Sequence, residues 1–156
     1  MKRSAALLVY RRTKTGIEVF LVHPGGPFWA KKDLGAWSIP KGEFGDDEDG
    51  LTAARREFSE EVGQNIDGTF IALTPVKQRG GKVVVAWAVE GDVDAAAVKS
   101  NAFEMEWPPR LERQQSFPEL DRASWFGVAE ARLKILKGQA VFLDRLLEIL
   151  GRADGS

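Results

Sequence analysis

One stretch of this chain limits what the rest can fold into: residues 42–64, GEFGDDEDGLTAARREFSEEVGQ. Its centre reads as a helix from about Asp49 to Val62. Residues three and four apart are neighbours on a helix, so Glu57, Glu60 and Glu61 share one face. Leu51, Ala54, Phe58 and Val62 form a second stripe about 100° away. The apolar stripe has to be buried against another layer. The acids beside it repel one another and need a cation, and hard divalent ions take oxygen ligands of this kind. Asp47 or Asp49 can cap the helix start, where acids also suit the positive end. Gly63 is placed to end it in a left-handed turn.

The flanking sequence reads mostly as strands. Residues 4–10 form a buried strand and 16–24 an alternating one, with Val19, Leu21 and His23 on the face opposite Phe20 and Val22; 13–16 make the turn between them. A loop rich in Gly and Pro covers 24–36, and 37–40 is extended because the proline keeps it out of helix. Strands at 69–78 and 82–91 flank Arg79-Gly80-Gly81, a hairpin signal. Residues 92–122 read as a long loop with a short helix near 94–99 and an irregular 103–110, in which Phe103, Met105 and Trp107 alternate with Glu104 and Glu106. A last strand at 123–128 precedes helices at 129–136 and 139–150, and the tail GRADGS should fray. Strands, a helix, more strands and terminal helices make an α/β (α+β) domain. A length of 156 residues suits one such domain spanning 1–156, with a core over about 4–150.

Composition removes several classes of function. A net charge of −1 offers no general surface for DNA, and little for an RNA backbone, so any phosphate recognition must be local. With no cysteine there is no disulfide, thiolate metal site or cysteine nucleophile. The apolar run Ala5 to Tyr10 is too short for a signal peptide and lacks a cleavage site, and no segment has the length of a membrane span. A cytoplasmic protein is expected.

The spacing of Gly42, Glu48, Arg56, Glu57, Phe58, Glu60, Glu61 and Gly63 resembles the Nudix box, G-x5-E-x7-R-E-U-x-E-E-x-G-U, where U is apolar. Gln64 departs from it, standing where an apolar residue is usual. The resemblance implies a Nudix-type α/β/α sandwich with a mixed central sheet. It also implies a hydrolase that uses Mg2+ (Mn2+ being possible) to cleave a phosphoanhydride bond of a nucleoside diphosphate derivative. The Gly42 carbonyl, Glu57, Glu60 and Glu61 would hold the metal. Glu57, Glu60, Arg56 and, from the long loop, Glu104 and Glu106 are the candidate catalytic set. The general base is an acid of the helix or of the loop, and Arg56 would hold a box glutamate in place. Such ions neutralise the anionic linkage and activate water, which is why the carboxylates are grouped.

Lys41 directly precedes the box glycine, where its ammonium would meet phosphate as a point charge. Phe28 and Trp29 are candidates for stacking on a base. Lys31, Lys32, Lys82 and Arg110 could meet phosphates or be solvated surface; Trp37, Trp87 and Trp125 belong to the core, and the single histidine, His23, reads as a packed or surface residue rather than a catalyst. Trp37-Ser38-Ile39-Pro40-Lys41-Gly42 resembles the W-x-x-P-K-G entry of the diadenosine-polyphosphate and diphosphoinositol branch of the family. That implies hydrolysis of dinucleoside polyphosphates, such as diadenosine tetraphosphate to ATP and AMP. The alternatives are a nucleoside triphosphate pyrophosphohydrolase, a non-catalytic nucleotide sensor, and removal of pyrophosphate from RNA 5′ ends.

Overall fold

The first strand, β1 (Arg3–Thr13), is the member on which the sheet is built. The computed structural model describes residues 2–110 and 113–153. One edge of β1 is shared by two partners. Its C-terminal part forms a hairpin with β2 (Gly16–Pro24), in register from Tyr10↔Val19 to Thr13↔Gly16. Its N-terminal part pairs antiparallel with β3 (Lys41–Phe44), so that Ala5 faces Gly42. Between these two pairings the strands diverge, and residues 37–40 fill the gap. The Leu7 N–H donates to the Pro40 carbonyl (3.2 Å), and Ser38 exchanges both backbone hydrogen bonds with Val22 (2.9 Å each).

β4 (Ile71–Lys77) and β5 (Val83–Glu90) extend the sheet on the other edge of β1, and β8 (Leu120–Gly127) extends it beyond β2. β5 runs parallel to β1 from Arg3↔Val83 to Tyr10↔Glu90, and the other pairs are antiparallel, so the six-stranded sheet is mixed. β1 is covered on both faces, which explains its unbroken apolar run. Ala5, Leu7 and Val9, with Phe20 and Val22, pack under α1 (Gly50–Val62) through Ala54, Phe58 and Val62. Ala6, Leu8 and Tyr10, with Val19 and Leu21, face α2 (Val128–Lys134) and α3 (Val141–Ala153) through Ala131, Phe142, Leu143 and Leu146. This is the α/β/α sandwich. Full burial of a side chain such as Phe58 contributes roughly 1.5–3 kcal/mol, which seats the acid-bearing helix on the sheet. Of the two capping candidates Asp49 is the cap, accepting the Thr52 N–H at 3.1 Å, and Gly63 closes the helix at φ 76°. Among the described residues no helix is long and apolar enough to cross a membrane.

The structure corrects several boundaries. Residues 41–44 form a strand although KGEF contains no β-branched residue, because β1 offers them a bare edge. The long segment is ordered by a hairpin, β6 (Ala102–Glu106) and β7 (Gln114–Pro118), which is a separate two-stranded sheet. The expected short helix is a single 3-10 turn at Ala95–Ala97. The last strand begins at Leu120, and α2 ends at Lys134. A 3-10 turn at Lys137–Gln139 separates it from α3 and buries Gln139, whose Oε1 accepts the Ile39 N–H at 2.9 Å. Residues 151–153 continue α3 instead of fraying, and the rest of the tail lies outside the described residues. Trp37 is buried, whereas Trp87 and Trp125 are only half-buried at the edge of the core.

Candidate active site

The acids of α1 are organised by Arg56. Its Nε and Nη2 each donate to one oxygen of Glu48 at 2.8 Å, a bidentate pair that ties the loop before the helix to its second turn. Its Nη1 donates to Glu57 at 2.9 Å and reaches Glu60 at 3.3 Å. The hydrogen bond to Arg56 holds the Glu48 carboxyl below its ordinary range, and Glu48 in turn raises the guanidinium further above its own. Part of the cation that the acid cluster requires is therefore a side chain of the same helix.

Glu57 and Glu61 turn the other way, toward β3. A Cβ on residue 42 would lie 2.0 Å from the Glu57 Oε2, so the carboxylate rests directly on the Gly42 backbone and only glycine leaves room for it. Glu61 is half-buried, and its Oε2 accepts the Lys41 N–H at 2.7 Å. Burial pushes its carboxyl up to about 7; the Lys41 hydrogen bond opposes this, and the charges of Glu57 and Glu119 add to it. A carboxylate lying on a glycine backbone, with a second carboxyl near enough to feel its charge, is a hard-oxygen donor set. It fits a magnesium-like ion, which keeps several waters and needs few protein ligands. Among the described residues no three His, Cys, Asp or Glu side chains already stand together as a cage. Glu60 and one Glu57 oxygen are held by Arg56 instead.

Lys41 lies beside this pair. Its side chain lines a cavity of about 230 Å³ together with Glu61, Glu119, Trp29, Val22 and Leu136. Burial lowers the pKa of its ammonium, helped by repulsion from Lys82, while Glu61 and Glu43 oppose the shift. Lys82 is itself 3.7 Å from Glu43. The two aromatics taken together in the sequence separate here. Trp29 is a wall of the cavity, whereas Phe28 is exposed and meets the edge of Trp107 at 5.7 Å. That contact, with Phe103 packed beneath Gly26, fastens the β6–β7 hairpin to the 24–36 loop.

Glu104 and Glu106 are exposed on β6, opposite Ser116 and Gln114, and neither lines the cavity. The carboxylate from the long segment that does so is Glu119, between β7 and β8. Sequence reading passed over it, since nothing separates Glu119 from the other acids until the hairpin's end is located. His23 is fully buried, its Nδ1 2.8 Å from the Asp121 carboxylate and its Nε2 2.7 Å from the Lys32 carbonyl, so it pins the 24–36 loop to β8. Gln64 also has a task. Its amide donates to the Asp94 carbonyl at 2.8 Å and accepts the Asp94 N–H at 3.0 Å, anchoring the chain where an apolar contact would otherwise serve.

A mixed sheet between helices, with Glu57 and Glu61 set against β3 and Glu48 and Glu60 held by Arg56, defines the class. The NUDIX domain family model matches residues 1–146. The chain belongs to the Nudix family and is a pyrophosphohydrolase. No curated protein matches it. Solved structures resemble it in fold. An Ap4A hydrolase binary complex from C. elegans has a TM-score of 0.66 at 21% identity, covering 95% of this chain and 98% of that one. The NUDIX domain of Shewanella oneidensis NrtR complexed with ADP ribose gives 0.65 at 15%, covering 95% and 87%. A mutT/nudix family protein from Listeria innocua gives 0.63 at 16%, covering 97% and 94%.

Proposed function

We propose that this Nudix enzyme hydrolyses dinucleoside polyphosphates, diadenosine tetraphosphate to ATP and AMP being the leading case. The observation that carries the reading is Lys41, a half-buried cation lining the cavity beside Glu61. A bridge of four phosphates has more charge than a metal-bound pair can neutralise, and a desolvated ammonium next to that pair compensates the remainder.

The Gly42 carbonyl, Glu57, Glu60 and Glu61 would hold Mg2+ or Mn2+. The chemistry such an ion supplies when bound is charge neutralisation on the non-bridging oxygens and a more acidic water. The chain's own residues do the rest. Arg56 is a positioning residue: it holds Glu48, Glu57 and Glu60 in register through the contacts described. Lys41 binds the phosphate run, and Trp29 walls the cavity where the group next to the phosphates would lie. The proton acceptor is a carboxylate of the helix or of the long segment. Single Gln substitutions at Glu57, Glu60, Glu104, Glu106 and the cavity-lining Glu119 identify it by the largest fall in kcat. Phe28, turned to Trp107, fastens the β6–β7 hairpin to the 24–36 loop.

The test is a panel of purified nucleotides with products separated by chromatography. Dinucleoside polyphosphates should turn over fastest. Lys41→Met should lower kcat/KM for diadenosine tetraphosphate by about 1.5–3 kcal/mol, the usual worth of a charge-assisted hydrogen bond. A nucleoside diphosphate sugar, with its shorter bridge, should lose less. Faster turnover of deoxynucleoside triphosphates would overturn the substrate assignment and leave the metal-centre reasoning intact.

A further inference from the structure

A second cleft opens on the far side of the 24–36 loop. It has a volume of about 540 Å³, and Lys31, Lys32, Arg122 and Lys134 line it along with Asp33 as the lone carboxylate. This local excess of positive charge stands out in a chain whose net charge is −1. Asp33 cannot neutralise the group. One of its oxygens accepts from Lys134 and the other takes the Trp37 Nε1–H at 2.9 Å. Those two donors, Lys134 first, keep its carboxyl below the ordinary range. Asp121, adjacent to Arg122 in sequence, is engaged by His23 at 2.8 Å and pairs with Arg122 at 3.8 Å. Among the described residues no carboxylate forms an ion pair with Lys31 or Lys32.

The walls are built rather than loose. The Arg122 guanidinium lies 5.3 Å over the ring of buried Trp37, and Phe126 packs edge-on against that ring at 4.9 Å. The loop that carries Lys31 and Lys32 is pinned by the His23–Lys32 hydrogen bond at 2.7 Å. The cleft is also separate from the box. Phe126 belongs to the core on the α2–α3 side of the sheet, whereas α1 and its acids cover the other side. Gly42, Glu57 and Glu61 are not among its lining residues.

We propose that this cleft binds an oligophosphate group at a site distinct from the box acids. Bulk water leaves isolated surface cations fully hydrated. Several cations gathered around one concavity, with its one lining carboxylate already paired and Asp121 shared between His23 and Arg122, favour a ligand with several negative charges. The group could come from the far end of the substrate's own phosphate chain or from a separate phosphorylated effector.

Inorganic tripolyphosphate is the probe, titrated calorimetrically into the full chain at low ionic strength with excess chelator, so that metal-mediated binding at the box is silent. One binding event is expected, weakening as salt is added. Lys31→Gln/Lys32→Gln should weaken it by about tenfold or more, the charge-keeping Lys31→Arg/Lys32→Arg pair should retain it, and so should Lys41→Met. Circular dichroism confirms that each variant is folded. Absence of binding at millimolar probe, an unchanged affinity in the double Gln variant, or loss in Lys41→Met instead would each overturn the proposal. Turnover kinetics with Mg2+ then separate the two sources. Competition by tripolyphosphate with a raised KM in the double Gln variant identifies the substrate's far end, and an unchanged KM identifies a separate effector.

Discussion

Replacing Gly42 by alanine places a methyl group where the Glu57 side chain now lies. The new carbon would sit 2.0 Å from Glu57 Cδ and Oε2 and 2.6 Å from Cγ. Ordinary contact begins at 3.4 Å, so the carboxylate must retreat by roughly 1.4 Å. The backbone has no reason to move. Gly42 is not among the residues with positive φ, and alanine can keep the pairing with Ala5. What is lost in stability is at most the Arg56–Glu57 contact, whose Arg is 37% exposed, worth less than about 1 kcal/mol. What is lost in function is larger, because a misplacement of about 1 Å at a reacting centre can cost on the order of a hundredfold. Gly42→Ala should therefore lower kcat by about that factor with a nearly unchanged urea midpoint. The cause is separable by a double-mutant cycle. If alanine acts by displacing Glu57, adding it to Glu57→Gln should cost little beyond the single change. A Gly42→Ala enzyme with wild-type kcat, or fully additive losses, would refute this account of why glycine stands there.

Two further outcomes follow from neighbouring contacts. Burial holds the Glu61 carboxyl at about 7 in the folded, metal-free chain, against about 4.3 unfolded, so the folded state binds this proton more tightly. The contribution of Glu61 to stability should be greatest below the unfolded value and fall as pH rises from about 4.3 to 7, by at most roughly 3 kcal/mol. Denaturation with excess chelator across that range measures the slope, Glu61→Gln should flatten it, and a stability that instead rises in the wild type but not in Glu61→Gln contradicts it. Gln64→Leu removes both hydrogen bonds to the Asp94 backbone and should cost about 1–2 kcal/mol with kcat unchanged; unaltered stability would mean that the clamp is idle.

The sandwich was legible because its signals are periodic. The unbroken apolar run of β1 marks a strand buried on both faces, alternation along β2 sets Val19 and Leu21 opposite Phe20 and Val22, and helical spacing identifies Phe58 and Val62 as the buried stripe of α1. The β6–β7 hairpin was not, since its second strand, QQSFP, is mostly exposed and pairs with only one neighbour. Burial writes the pattern that sequence reading depends on, and this ribbon buries little. The same holds at the candidate site. Helical spacing groups Glu57, Glu60 and Glu61 on one face, but it cannot tell that Arg56 takes Glu60 while Lys41 takes Glu61, because those choices depend on where β3 lies. Glu119 enters the cavity through the end of the hairpin, and Phe28 is drawn away by Trp107. Both are consequences of the least periodic part of the chain.

The shared edge of β1 also orders events during synthesis. Gly42 takes its place by pairing with Ala5, and the opposite edge of that same segment is completed only when Val83 to Ala86 pair alongside Arg3 to Ala6. The acid-bearing helix, complete at Val62, emerges from the ribosome well before its sheet is closed on both sides. Contacts between distant parts of a chain form late, since the intervening loop must first be closed. A nascent chain stalled before Val83 would therefore carry every box residue and still lack the parallel strand that completes the platform beneath them.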